Sequence, residues 1–145
     1  MEQPDYERVS EVMRDYHIRA HRLVDRMMTA SGASFARTRM LLQISREGVA
    51  RSIDLAGAFG YAPRTVTEAI DGLERDGLVR RDPDPNDRRA KIISLTEAGR
   101  AAAAGAEESR RQYIASVYGV FSPEECDRLV ALVGKLNDRL AELGG

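Results

Sequence analysis

The sequence predicts a mainly α-helical fold carrying one small β-hairpin, with long helices at both ends of the chain. Three observations predict it. Apolar residues recur at helical spacing over most of the 145 positions. Proline and glycine fall where helices start and stop. Residues 80–100 read R-R-D-P-D-P-N-D-R-R-A-K-I-I-S-L-T-E-A-G-R, a Pro-, Asp- and Arg-rich loop between the apolar pairs Leu78-Val79 and Ile92-Ile93. Such a stretch is a hairpin with a charged tip.

The elements follow in order. Tyr6, Val9, Met13, Tyr16, Leu23 and Met27 mark an amphipathic helix over 6–30, and S-G-A-S at 31–34 ends it. Ser34 caps a second helix reaching about residue 46, with Met40, Leu41 and Ile44 inward and Gly48 as a left-handed stop. A brief extended piece at 49–51 precedes a short helix over 53–58, with Ser52 as its cap. Gly60-Tyr61 makes a turn, and Pro63 occupies the first position of the next helix, where its missing N–H is harmless. That helix runs to about residue 76 with Val66, Ala69, Ile70 and Leu73 inward, and Gly77 stops it. After the hairpin, Thr96 caps an Ala-rich helix to about residue 118. Ser122-Pro123-Glu124-Glu125 is a capping box for the last helix, whose apolar face is Leu129, Leu132, Val133, Leu136 and Leu140.

Composition narrows the function classes. An apolar fraction of 43% with 31% charged residues describes a globular chain with a real core, and no apolar run reaches membrane-spanning length. The first residues, M-E-Q-P-D-Y-E, are too acidic for a signal peptide, so a cytoplasmic location is expected. The single cysteine, Cys126, excludes an intramolecular disulfide and a cysteine-rich zinc site. Its place on an apolar helix reads as packing. No phosphate loop, nucleophile elbow or metal cluster is present, so no enzyme and no cofactor are expected.

Net charge is −1, but its distribution is uneven. Residues 34–100 hold twelve Arg/Lys against ten Asp/Glu, and both ends are acidic. Two helices joined by a glycine turn and followed by a hairpin form a winged helix-turn-helix. The second of those helices turns Arg64, Thr65, Thr67, Glu68, Asp71 and Arg75 outward. Recognition helices read base edges mainly from their first turns, and Arg can bond guanine with two hydrogen bonds. At the hairpin tip, Arg88 and Arg89 suit a minor groove, with Asp87 as a carboxylate orienting one guanidinium. Arg80, Arg81 and Lys91 on the stems are expected phosphate contacts, and Ser52 and Pro63 complete the DNA-facing set. Without this context the same residues would be a solvated surface of weak ion pairs. A protein-binding winged module without DNA affinity is the alternative function. The terminal helices, about 1–33 and 101–145, expose apolar faces that a two-fold dimer would cover, flanking a DNA-binding portion at about 34–100 of a single domain.

These motifs carry a resemblance to the MarR family of bacterial transcription regulators along nearly the whole chain. G-L-V-R-R-D-P-D-P-N-D-R-R-A-K-I-I-S-L-T-E-A-G, residues 77–99, resembles that family's wing signature, and G-Y-A-P-R-T-V-T, residues 60–67, its recognition-helix entry. The resemblance implies that Arg89 enters the minor groove and Asp87 steadies it. It further implies a homodimeric repressor on a pseudo-palindromic operator in double-stranded DNA, released by a small, often aromatic or phenolic, ligand. Tyr16, His17 and His21 lie near where the family's pocket forms. His17 and His21 share a helical face at i, i+4 spacing, but two ligands make no metal site. The chain departs from the family at Ala62, where a capping side chain is usual, and at 37–39, which lacks an aromatic. Thiol-switched members carry their cysteine near the N-terminus, whereas Cys126 is in the last helix, so no peroxide response is implied.

Overall fold

A computed structural model describes residues 4–31 and 34–145. The described residues form α1 (Tyr6–Ser31), α2 (Phe35–Glu47), β1 (Val49–Ala50), α3 (Ser52–Phe59), α4 (Pro63–Arg75), β2 (Val79–Asp84), β3 (Asp87–Leu95), α5 (Glu97–Tyr118) and α6 (Pro123–Glu142). The expected stop at Gly32-Ala33 lies outside the described residues. The fold is mainly helical with a small antiparallel sheet, and the chain divides into two compact units, Met1–Ala104 and Gly105–Gly145.

In the first unit, one apolar core joins the helix-turn-helix to the sheet. Met40, Leu41 and Ile44 come from α2, Leu55 from α3, Val66, Ala69, Ile70 and Leu73 from α4, and Ala50, Val79 and Ile93 from the strands. Spacings of three and four on α2 and α4 put these side chains on one face of each helix. Local chemistry sets the boundaries. The Ser34 hydroxyl accepts from the Arg37 N–H at 3.4 Å. Thr96 Oγ1 accepts from the Gly99 N–H at 3.0 Å and donates to the Gly77 carbonyl at 2.6 Å, which ties the end of α4 to the start of α5.

The strands depart from expectation. The charged tip is mostly strand, and only Pro85 and Asn86 turn. The ladder pairs Arg81 with Ile93, Asp82 with Ile92 and Pro83 with Lys91, with an irregularity at Pro83/Asp84. Pro83 is tolerated because β2 is an edge of the sheet, whose order is β1-β3-β2. The extended piece at Val49–Ala50 supplies the third strand, pairing with Ser94 and Ile93.

Two caps are also corrected. Ser52 is the first residue of α3, not its cap. Arg51 holds the cap position with an extended backbone, and its carbonyl accepts from the Asp54 and Leu55 N–H groups at 3.1 Å. Gly48 has a positive φ of 80°, but its ψ of −50° takes it out of the left-handed helical region.

In the second unit, the Ser122–Glu125 capping box is formed in both directions, at 3.2 and 3.0 Å. No α6 residue is buried.

Candidate nucleic-acid interface

Helix α4, the second of the helix-turn-helix pair, starts without a side-chain cap, since Ala62 has none to offer. Pro63 at its first turn and Gly60, left-handed at φ 64°, set the entry instead. Arg64, Thr65, Thr67 and Arg75 all lie on its exposed face. The Arg64 side chain is 89% exposed and meets Glu68 at 3.0 Å, one helical turn on. Thr67 Oγ1 donates to the Pro63 carbonyl at 3.0 Å, one helical turn back.

The entry turn is held from behind by a cluster centred on Arg39. Its guanidinium lies 4.6 Å from the Phe59 ring centroid, 5.4 Å from Phe35 and 5.9 Å from Tyr61. Nη1 also donates to the Tyr61 hydroxyl at 3.4 Å. Cation–π attraction of this kind contributes about 0.5–2 kcal/mol per contact. The aromatics missing from 37–39 are thus supplied by α3, by the turn that follows it and by the first residue of α2.

On the hairpin, Asp87, Arg88, Arg89 and Lys91 are exposed on β3, and Arg80 is exposed on β2 beside Asp82 at 3.0 Å. Asp87 differs from expectation in its contact. Its carboxylate accepts from the main-chain N–H of Arg89 at 3.0 Å, so it orders the backbone rather than a guanidinium.

Arg81 also differs. Strand alternation puts it on the face of buried Val79, toward α4, and Arg80 on the opposite face. Its Nη2 meets Asp71 Oδ1 at 2.5 Å and its Nη1 meets Glu74 Oε1 at 2.9 Å. Burial opposes its charge, yet the hydrogen bonds and charges of Asp71 and Glu74 outweigh burial and raise its pKa. Both terminal nitrogens of this guanidinium are thus engaged by carboxylates of α4.

Sequence reasoning missed a further ion pair. Asp84, next to the turn, is buried, and its Oδ1 accepts from the Asn86 N–H at 2.9 Å. Oδ2 has no hydrogen-bond partner among the described residues, and the Arg51 guanidinium pairs with it electrostatically. An acid inside a Pro-Asp-Pro-Asn turn was a signal for side-chain-to-backbone bonding. Nothing local pointed to Arg51.

On α1, Tyr16, His17 and His21 are exposed. The two imidazoles stack at 6.3 Å, and His21 Nε2 is 3.5 Å from Asp25. Among the described residues no group of three or more His, Cys, Asp or Glu is placed to hold a metal, and no helix is long and apolar enough to cross a membrane.

Comparison with known proteins agrees with this geometry. A sequence model described as the MarR family matches residues 34–91, from the α2 cap through most of the hairpin. The uncharacterized HTH-type transcriptional regulator YwhA of Bacillus subtilis is 33% identical over 93 residues, 64% of this chain and 67% of that one. Streptococcus pneumoniae FabT, solved in complex with DNA, superposes with a TM-score of 0.78 at 22% identity, covering 96% of this chain and 99% of its own. Bordetella bronchiseptica BpsR, whose DNA binding is regulated by 6-hydroxynicotinic acid, gives 0.76 at 25% identity over 90% and 98%. The chain belongs to the MarR family: it is a winged helix-turn-helix, DNA-binding transcriptional regulator and not an enzyme.

Proposed function

We propose that the protein is a cytoplasmic homodimeric repressor that reads a pseudo-palindromic operator and is released from it by a small aromatic or phenolic ligand. One observation carries the DNA-reading part. Two exposed cationic elements, Arg64 on the first turn of α4 and Arg88-Arg89 on β3, belong to the same compact unit. Arg64, Thr65 and Thr67 face base edges in the major groove. Arg89, with Arg88, enters the minor groove. Ser52, Pro63, Arg75, Arg80 and Lys91 contact the phosphate backbone, which sets orientation without reading sequence.

The dimer follows from apolar surface. Within α1, Tyr6, Val9, Val12 and Tyr16 are exposed, and within α6, Val130, Leu132, Leu136 and Leu140 are exposed. Residues 1–33 and 101–145 are the dimerisation segments, and 34–100 the reading portion of a single domain. Ligand release is supported by the BpsR likeness, with Tyr16, His17 and His21 as the contacts on α1. A ligand can do this only by preferring one of two dimer conformations.

Selection from a random-sequence DNA pool tests the reading. The expected winner carries two inverted half-sites whose centres are about one helical turn, roughly 10 bp, apart. Enrichment of a lone half-site, or of nothing, overturns it. Adding aromatic carboxylic acids to the selected complex is expected to yield at least one that dissociates it.

A further inference from the structure

We propose that Arg81 is a positioning residue that clamps the wing to the recognition helix, so that the two DNA-reading elements act as one rigid body. The proposal deepens the DNA-reading function above and rests on it.

The geometry points there in three steps. First, both terminal nitrogens of Arg81 are engaged by carboxylates of α4, Nη2 at 2.5 Å from Asp71 and Nη1 at 2.9 Å from Glu74. Asp71 and Glu74 are three residues apart, so they stand one above the other on a single helix face. A planar guanidinium facing two carboxylates fixes direction as well as distance. Second, the Arg81 side chain is only 24% exposed, against 69% for Arg80 beside it. A phosphate approaching Arg81 would have to displace two carboxylates, whereas Arg80 has one exposed partner. Third, the covalent route from α4 into the wing passes through Gly77, at a positive φ of 73°. Hydrogen bonds run from Thr96 to the Gly77 and Leu78 carbonyls at that joint, so they tie it to α5 and place no side chain of the strand on the face of α4. Arg81 supplies that contact, and β2 carries it to Arg88 and Arg89 because it is paired with β3. The Arg51–Asp84 pair holds the far end of β2 to the start of α3. Two anchors, one near each end of the strand, fix the angle of the hairpin to α4.

A clamp and a phosphate contact differ in what their loss does. A phosphate contact adds affinity for every sequence and adds about 0.9 to the salt slope. A clamp adds specificity, because it lets base-reading and groove-reading cations engage together.

The probes are a fluorescent duplex enriched by the native protein from a random pool and a scrambled duplex of the same composition. Affinities for both are measured over a salt series. Arg81→Met is expected to lower the selected-to-scrambled affinity ratio about tenfold, the discrimination of roughly one base pair, with the salt slope unchanged. Asp71→Ala/Glu74→Ala, which keeps Arg81 and removes both carboxylates that it donates to, is expected to lower the ratio equally. This second variant also decides the matter if Arg81→Met fails to fold. A ratio that stays intact in either variant, or an Arg81→Met slope shallower by about 0.9, overturns the clamp. Failure of the native protein to hold any duplex overturns the underlying DNA reading instead, and is seen before either variant is made.

Discussion

Gly99 passes so close to the Leu78 carbonyl that a Cβ built on it would stand 1.9 Å from that oxygen. The approach is fixed from both sides. The same carbonyl accepts from the Thr96 N–H at 3.0 Å, and Thr96 Oγ1 donates to Gly77. The start of α5 is thereby bolted to the joint between α4 and the wing. Gly99→Ala gains about 1 kcal/mol of helix propensity, but its methyl group meets backbone that cannot swing aside. We expect it to destabilise by about 2–3 kcal/mol, as overpacking does. Gly72→Ala is the matched control. There the obstructing atoms, at 2.3–2.4 Å, belong to the far end of the Arg37 side chain, which can rotate away. The Arg37–Asp76 contact it would sacrifice, at 3.4 Å, is exposed and weak. Gly72→Ala should be within about 1 kcal/mol of native. Urea unfolding of both variants checks the pair, and equal stabilities would refute the assignment.

The helices were legible in the sequence because their signals are local. Ser34, Thr96 and the Ser122–Glu125 box each lie within three residues of the N–H groups they satisfy. The inward faces of α2 and α4 were legible from spacing alone. The wing was legible as a hairpin but not in extent, because Arg, Asp and Pro at 80–89 have loop chemistry while the ladder to β3 overrides it. Strand alternation from Val79 could have turned Arg81 inward, but the distance from 81 back to Asp71 and Glu74 is set by the register of α4 against β2. Arg51 and Asp84 are 33 positions apart, and no periodicity links them. Ser52 misled for a simpler reason. Serine favours caps, but here the backbone turns one residue earlier.

The Asp87 carboxylate bonds the Arg89 main chain, and this separates shape from charge. Asp87→Asn keeps an oxygen that can accept from that N–H, whereas Asp87→Ala does not. An orienting charge would be lost equally in both. We expect Asn to preserve DNA affinity within about twofold, and Ala to weaken it about five- to tenfold, as for loss of one hydrogen bond of about 1–1.5 kcal/mol. Fluorescence anisotropy with the selected duplex decides between the two. Asn as damaging as Ala would restore the charge-orienting role.

The exposed stripe on α6 yields a prediction about assembly. Leu132 is 61% exposed in the single chain, with Leu129, Leu136 and Leu140 at helical intervals beside it. An apolar row of this length exposed to water marks the stripe as the proposed dimer contact. Leu132→Asp touches no buried residue of α6, so far-UV circular dichroism should be unchanged. Sedimentation is expected to shift from dimer to monomer at micromolar concentration, and DNA affinity should fall with it. A variant that sediments like the native protein would place the dimer contact elsewhere.

Arg51 and Asp84 supply the sharpest test of how the wing is anchored. The Asp84 side chain is 3% exposed, and the Arg51 guanidinium is its charge partner. Removing Arg51 leaves a carboxylate whose one hydrogen-bond donor among the described residues is the Asn86 N–H. Breaking such a pair from one side costs more than the pair contributes, because the remaining charge stays buried. Arg51→Met should therefore destabilise by about 2 kcal/mol, near the usual penalty for an unsatisfied buried group. Asp84→Asn removes the charge and keeps an acceptor for Asn86, so in the Arg51→Met background it should recover part of that loss. The two substitutions are expected to be non-additive by about 1 kcal/mol in a double-mutant cycle of urea unfolding. Hydrogen exchange adds a local reading: the Asn86 amide should lose protection in Arg51→Met, while amides in the α4 core, around Ile70, should follow global stability alone. Additive free energies with an unchanged Asn86 amide would mean that the wing is held by its ladder to β3 and not by this pair.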